Sequence, residues 1–203
     1  MKTLTTILAA VTFTLSSFTD QQGYKVGDKA VDFKLKNIDN KTVSMADYKD
    51  AKGIIVVFTC NHCPFAKKYE SRIMDLDAKY KSKGYPVVAI SPNDPNEVPE
   101  DSFENMQKLA NDKKYSFPYL MDETQLTAKA YGSTKTPHVF VLQKEKSEFI
   151  VKYIGAIDDN SDDEKSVKEK YVENAVNNLL AGKPINPDMT KAVGCGIKWK
   201  KKA

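Results

Sequence analysis

Cysteine is scarce in this 203-residue chain, and the scarcity restricts its chemistry. There are 3, an odd count, so a fully paired disulfide framework within one chain is excluded. Only Cys60 and Cys63 lie close together, and no second pair exists to complete a structural zinc site. Histidine is rarer still, with His62 and His138 alone. Beyond the amino-terminal leader, no apolar run approaches the roughly 20 residues that cross a bilayer as a helix. Charge of one sign is also lacking. The net +4 comes from lysines interspersed with Asp and Glu, and the basic end Lys198, Lys200, Lys201, Lys202 is too short for a nucleic-acid or lipid surface. No internal repeat and no linker divide the chain, so a single decorated domain is expected.

What is present begins with the leader, residues 1–19. Lys2 is the only charge before Asp20, and Leu4 to Phe18 is apolar apart from Thr and Ser. This pattern predicts a secretory signal peptide, and hence export to the bacterial periplasm, a compartment that permits disulfides. No cysteine follows the leader to take a lipid, so no stable membrane insertion is expected once it is removed.

Along the mature chain, Val31, Phe33 and Leu35 alternate and predict a half-buried strand over Val26–Leu35, with a partner starting at Val43. Ile54 to Phe58 is continuously apolar, the signature of a strand buried on both faces. Phe65, Tyr69, Ile73, Leu76 and Tyr80 then recur at helical spacing until Gly84, and Pro86 to Ile90 is a second buried strand. Strand, helix and strand imply a parallel crossover. Asp101 or Ser102 is placed to cap a helix bearing Phe103, Met106, Leu109 and Ala110. A short helix over Thr124–Tyr131 closes at Gly132. Two strands, His138–Gln143 and Phe149–Ile154, form a hairpin, and a last amphipathic helix runs from Val167 to Leu180. The acidic stretch Asp158, Asp159, Asp162, Asp163, Glu164 lacks calcium-loop spacing and reads as a solvated loop capping that helix.

Chemistry concentrates in Thr59-Cys60-Asn61-His62-Cys63-Pro64, where the buried strand hands over to the helix. Unpaired backbone N–H groups and the positive end of the helix dipole favour a thiolate there. Two cysteines at i and i+3 on a first helical turn close and reopen a disulfide readily. The expectation is that Cys60 attacks and Cys63 resolves, with His62 between them favouring the thiolate. His138, after Pro137, either borders the sulfurs or packs in the core. Cys195 lies between Gly194 and Gly196. It reads as a third thiol near Cys60 or as a small buried anchor for the tail.

These features together resemble the thioredoxin superfamily: a buried strand, Cys60-x-x-Cys63 opening a helix, and Thr136-Pro137 before the hairpin strand. More narrowly, the chain resembles the redoxin branch, the alkyl hydroperoxide reductase/thiol-specific antioxidant group. The likeness is carried by Gly27-Asp28-Lys29-Ala30-Val31-Asp32-Phe33, Asn93-Asp94-Pro95, Phe117-Pro118-Tyr119, Thr136-Pro137-His138 and Gly155-Ala156-Ile157-Asp158-Asp159-Asn160. The resemblance implies an α/β thioredoxin-like fold: a central mixed sheet flanked by helices, an N-terminal hairpin, a helical insertion and a C-terminal extension. It implies a redoxin domain over residues 24–182 and an extension, 183–203, packed upon it. It also implies a cis Pro137 facing Cys60 and Cys63, with Thr136 offering its main chain to a bound peptide. Asn61, Pro64 and His138 would complete the substrate-binding surface. No cofactor and no metal are expected; the partners would be dithiol or disulfide-bearing substrates and a protein that recycles the pair.

Departures from the group separate the possible activities. If Cys63 were a peroxidatic cysteine, the positions the group fills with Pro and Thr would hold Val56 and Cys60. Arg72 is the only arginine, so no distant arginine remains to polarise a peroxide. Ile54 stands where thioredoxin has a buried acid, and Thr59 where it has tryptophan. Thiol–disulfide exchange is therefore expected first, a thiol peroxidase second, and a Cu(I)-binding module using Cys60, Cys63 and a histidine third.

Overall fold

A computed structural model describes residues 23–201. The leader therefore lies outside the described residues. The strands are β1 (Lys34–Asn37), β2 (Thr42–Ser44), β3 (Gly53–Phe58), β4 (Val87–Ser91), β5 (Tyr119–Met121), β6 (Lys135–Thr136), β7 (His138–Glu145), β8 (Glu148–Gly155) and β9 (Cys195–Gly196). The helices are α1 (Pro64–Tyr80), α2 (Phe103–Lys113), α3 (Leu126–Tyr131) and α4 (Tyr171–Leu180). A 7-stranded sheet runs β2-β1-β5-β4-β3-β7-β8, and β6 pairs with β9 separately. The β3–β4 and β4–β5 pairs are parallel, whereas β7 and β8 are antiparallel to their neighbours. This is the mixed, helix-flanked sheet of a thioredoxin-like fold.

Strand β3 explains the two-sided core. All its residues are buried. Ile55 and Val57 face the layer holding α1, α2 and α4, while Ile54, Val56 and Phe58 face the amino-terminal segment and α3. Val87 and Ala89 against Val88 and Ile90 divide in the same way, as do Val139 and Val141 against Phe140 and Leu142. Burial on both faces is what a run without polar alternation encodes.

Three elements differ from the sequence reading. The strand expected over Val26–Leu35 begins only at Lys34, and Val31 is exposed. Residues 27–30 instead lie along β8 through isolated bonds, Gly27 N to Val151 O and Ala30 N to Phe149 O, each 2.8 Å. Strand β5, three residues long, is too short to carry a period. The last helix starts at Tyr171 rather than Val167.

The acidic stretch also departs from expectation. Asp158 is buried, accepting from Arg72 Nη1 at 2.6 Å and from Tyr69 Oη at 2.9 Å. It ties the loop to α1 and does not cap α4, whose N-cap is Lys170. A lone buried carboxylate is costly, and the chain's one arginine offsets that cost here.

Candidate active site

Strand β3 ends at Phe58, and Cys60-Asn61-His62 form a bend before α1. Cys63 is the N-cap residue, and Pro64 begins the helix, where its missing N–H costs nothing. Both cysteines therefore precede the helix instead of sharing its first turn. Cys63 is completely buried and Cys60 is 5% exposed.

The sulfur pairing differs from the expected Cys60–Cys63 bond. Cys63 is joined to Cys195 across a sequence separation of 132, with Cα atoms 6.1 Å apart, and Cys60 is a free thiol. Thr136 meets both members of the motif. Its Oγ1 lies 3.2 Å from Cys60 Sγ, and its carbonyl oxygen 3.2 Å from Cys63 Sγ. The Thr136–Pro137 bond is cis and both residues are buried. The strand edge expected to hold a substrate peptide is occupied by the chain's own tail. Thr136 is opposite Cys195, Lys135 is opposite Gly196, and Ile197 N donates to Thr134 O at 3.2 Å. Gly194 permits the approach, since a Cβ there would collide with the Thr136 carbonyl and sit 3.0 Å from Pro137 N.

Beneath the bend lies Asp101, which sequence reasoning considered only as a helix cap. Ser102 takes that role, accepting from Asn105 N. Asp101 is wholly buried, and its carboxylate accepts four hydrogen bonds. Oδ1 receives Asn61 N (2.7 Å) and His62 N (3.0 Å); Oδ2 receives His62 Nδ1 (2.6 Å) and Asn93 Nδ2 (2.7 Å). Asn61 is held further by Tyr119 Oη, which donates to its Oδ1 at 2.9 Å. Asn93, Asp101 and Tyr119 are the site residues the sequence reading missed. Asn93 and Tyr119 fall in two segments that carried the family resemblance, Asn93-Asp94-Pro95 and Phe117-Pro118-Tyr119, but nothing local tied them to the cysteines.

The same network answers the thiolate expectation in the opposite sense. Burial, and then the Asp101 charge, push the Cys60 thiol up to about 11, although hydrogen bonds from Thr136 and from the Cys63 and His62 backbone pull it down. Desolvation outweighs the helix terminus. In this state Cys60 is a guarded thiol.

Cys60 and Asn61 also line a cavity of about 250 Å³ walled by Lys67, Glu70, Tyr115 and Tyr119. His138 opens β7. It pairs with Phe58 across the sheet, packs 4.8 Å from the Phe140 ring, and has no partner for Nδ1 among the described residues. Burial alone lowers its pKa to about 4.

Comparison with known proteins places this geometry. Residues 26–160 match the AhpC/TSA family model. The chain belongs to the AhpC/TSA family. Among curated relatives, it is similar to the thiol-disulfide oxidoreductase ResA of Halalkalibacterium halodurans. That match is 23% identical over 146 residues, covering 72% of this chain and 78% of the relative. ResA of Bacillus thuringiensis strain Al Hakam is 28% identical over 138 residues, covering 67% and 75%. Among solved structures, an uncharacterized conserved protein of Geobacillus kaustophilus is 37% identical with a TM-score of 0.81, covering 88% of this chain and 94% of that one. A thiol:disulfide interchange protein DsbE from Chlorobium tepidum, at 22% identity and TM-score 0.57, shares the fold.

Within the AhpC/TSA family, the side chains bear on both alternative activities. Arg72 is committed to Asp158 and the Asn160 carbonyl, each at 2.6 Å, and stacks on Tyr69. It is thus held away from any peroxide-polarising role. Cys60, His62 and Asp101 hold potential ligand atoms within 4.8 Å of one another. Both Asp101 oxygens are already engaged, however, and Cys63, which the Cu(I) reading requires, is bonded to Cys195. The arrangement is built for sulfur exchange.

Proposed function

We propose that this AhpC/TSA member is a thiol–disulfide oxidoreductase in which Cys60 attacks and Cys63 resolves. The observation that carries the reading is the convergence of both cysteines on Thr136, beside the buried His62–Asp101 pair, with one of them already in a disulfide. ResA relatives named as thiol-disulfide oxidoreductases support it. Attack requires removal of the Cys60 proton. His62, oriented through Nδ1 by Asp101, is the proton acceptor, in the manner of a base held by a carboxylate. With the Cys63–Cys195 bond first reduced by a dithiol partner, the Cys60 thiolate opens a substrate disulfide, forming a mixed disulfide and releasing one substrate thiol, and the freed Cys63 thiolate then displaces the other. Asn61 and Pro64 border the bend on which a substrate cysteine arrives, Thr136 and Pro137 join them once the Cys195 tail leaves the Thr136 edge, and a separate dithiol partner resets the pair. Export to the periplasm, with residues 183–203 as an extension on a 24–182 domain, is the setting this activity fits. No helix among the described residues is long and apolar enough to cross a membrane.

The test is trapping. Cys63→Ser in a Cys195→Ser background, exposed to a disulfide-bearing peptide, should accumulate a one-to-one mixed disulfide on Cys60, visible by intact mass under non-reducing conditions. Absence of any adduct, while wild type likewise fails to reduce the peptide with a dithiol reductant present, refutes the activity.

A further inference from the structure

The Cys63–Cys195 bond gives the site a third sulfur that the two-cysteine mechanism does not use. Three observations give it a place. Cys63 is completely buried, so an external thiol cannot reach it directly. Its two flanking sulfurs have different surroundings: Cys60, itself buried, lines the cavity with Tyr115 and Lys67, and Cys195 is half-buried on the tail. The tail that carries Cys195 lies antiparallel on Thr136, the way an added strand docks on an exposed edge. Asn93 joins it to the site as well, donating to Asp101 and accepting from Lys198 N at 2.8 Å.

We infer that Cys195 is a third redox-active thiol, and that Cys63 is a central sulfur passing its disulfide between Cys60 and Cys195. The inference rests on the exchange activity proposed above and extends it to an internal step. The Cys60 thiolate attacks Cys63 Sγ. The Cys60–Cys63 bond forms, the Cys63–Cys195 bond breaks, and Cys195 leaves as a thiolate that takes up the proton Cys60 gave away. Nothing is oxidised or reduced overall, so no further reactant is needed. In one isomer the free thiol faces the cavity; in the other it lies on the tail, where a protein partner can meet it. A pKa of about 11 leaves only about one Cys60 in ten thousand ionised at neutral pH. Against that small fraction stands intramolecular placement, which in well-oriented reactions reaches effective concentrations of about 10⁵ M. Gly194 and Gly196 on either side of Cys195 fit a segment that must lie close against Thr136 and also move off it.

The experiment locates the free thiol. Full-length protein carrying one disulfide is alkylated with iodoacetamide, digested and mapped by mass, in wild type and in Gly194→Ala, which keeps all three cysteines. Wild type should carry label on both Cys60 and Cys195. Gly194→Ala, whose Cβ pushes the tail from Thr136, should shift the ratio toward labelled Cys195 by about tenfold, the equivalent of about 1.4 kcal/mol of lost pairing. Cys60→Ser should give only the Cys63–Cys195 bond. Label confined to Cys195 in wild type, with Cys63 bonded solely to Cys60, overturns the inference. Label confined to Cys60 in wild type and in Gly194→Ala alike also overturns it, because the bond is then a static crosslink. If peptide reduction persists in either case, the exchange activity stands and only the relay fails; if trapping fails in the Cys63→Ser, Cys195→Ser protein, the activity itself falls.

Discussion

The bend at Cys60 sets two opposing influences on one sulfur. Backbone donors at a helix start favour the thiolate, while the buried surroundings and the Asp101 carboxylate oppose it, and the opposition prevails. Asp101→Asn should therefore lower the Cys60 pKa from about 11, read as an alkylation rate that begins to rise at lower pH. The same change presents an amide N–H₂ to donors from Asn61, His62 and Asn93. It should cost about 1–3 kcal/mol of folding stability in denaturant titration. An unchanged alkylation profile would dissociate Asp101 from the thiol. His138 gives a second pH signature. Its folded pKa, about 4, lies below the ordinary 6.5, so between those values the unfolded chain takes up a proton that the folded chain refuses. Stability contributed by the neutral ring is full above about 6.5 and is lost as pH falls toward 4, by about 3 kcal/mol. His138→Leu should flatten that acid limb, measured as the denaturation midpoint at successive pH values.

At the scale of elements, β3 and α1 were legible because one bears an unbroken apolar run and the other a helical stripe, and each pattern has one physical reading. Both cysteines of the motif, the hairpin β7–β8 and the Ser102 cap were legible for similar local reasons. The rest depended on contacts distant in sequence. Nothing near Asp158 announces that it will be buried under Arg72, and nothing near Asp101 announces that it will receive four donors from two other segments. Strand β5 forms because β4 and β1 leave a space between them, which a three-residue segment cannot signal. The tail was read as a third thiol near Cys60 or an anchoring segment, but its strand pairing was not, because β9 exists only where Thr136 offers an edge. The Arg72–Asp158 tie between α1 and the loop after β8 can be tested on its own. Arg72→Met leaves a buried carboxylate facing only Tyr69 Oη and backbone, and should cost about 3–5 kcal/mol. Adding Asp158→Asn should recover part of that loss in equilibrium unfolding; full additivity of the two changes would show that the pair is not coupled.

For the whole molecule, the choice of cysteine partner decides how strongly oxidation stabilises the fold. A Cys60–Cys63 bond closes a loop of a few residues and removes little freedom from the unfolded chain, about 2 kcal/mol by the loop-entropy relation. The Cys63–Cys195 bond spans a separation of 132 and encloses β4, β5, β7 and β8 of the main sheet. The same relation gives a loop of that size about 5 kcal/mol. The tail also contributes buried Ile197 and a Lys198 carbonyl that accepts from Asp94 N and from the Gln125 side-chain amide, which remain after reduction. Reduction of wild type should therefore lower its unfolding free energy by an amount nearer the larger figure. Cys195→Ser, limited to the short loop, should lose no more than the smaller. The measurement is guanidinium unfolding with and without a dithiol reductant, with the slope compared to confirm that the native state stays equally compact. An equal loss in both proteins would mean that the long loop is not the bond that holds the oxidised fold. A larger loss in wild type means that the fold itself favours the Cys63–Cys195 isomer. The free energy that separates the two isomers then limits how readily Cys60 can draw the disulfide back to the cavity side.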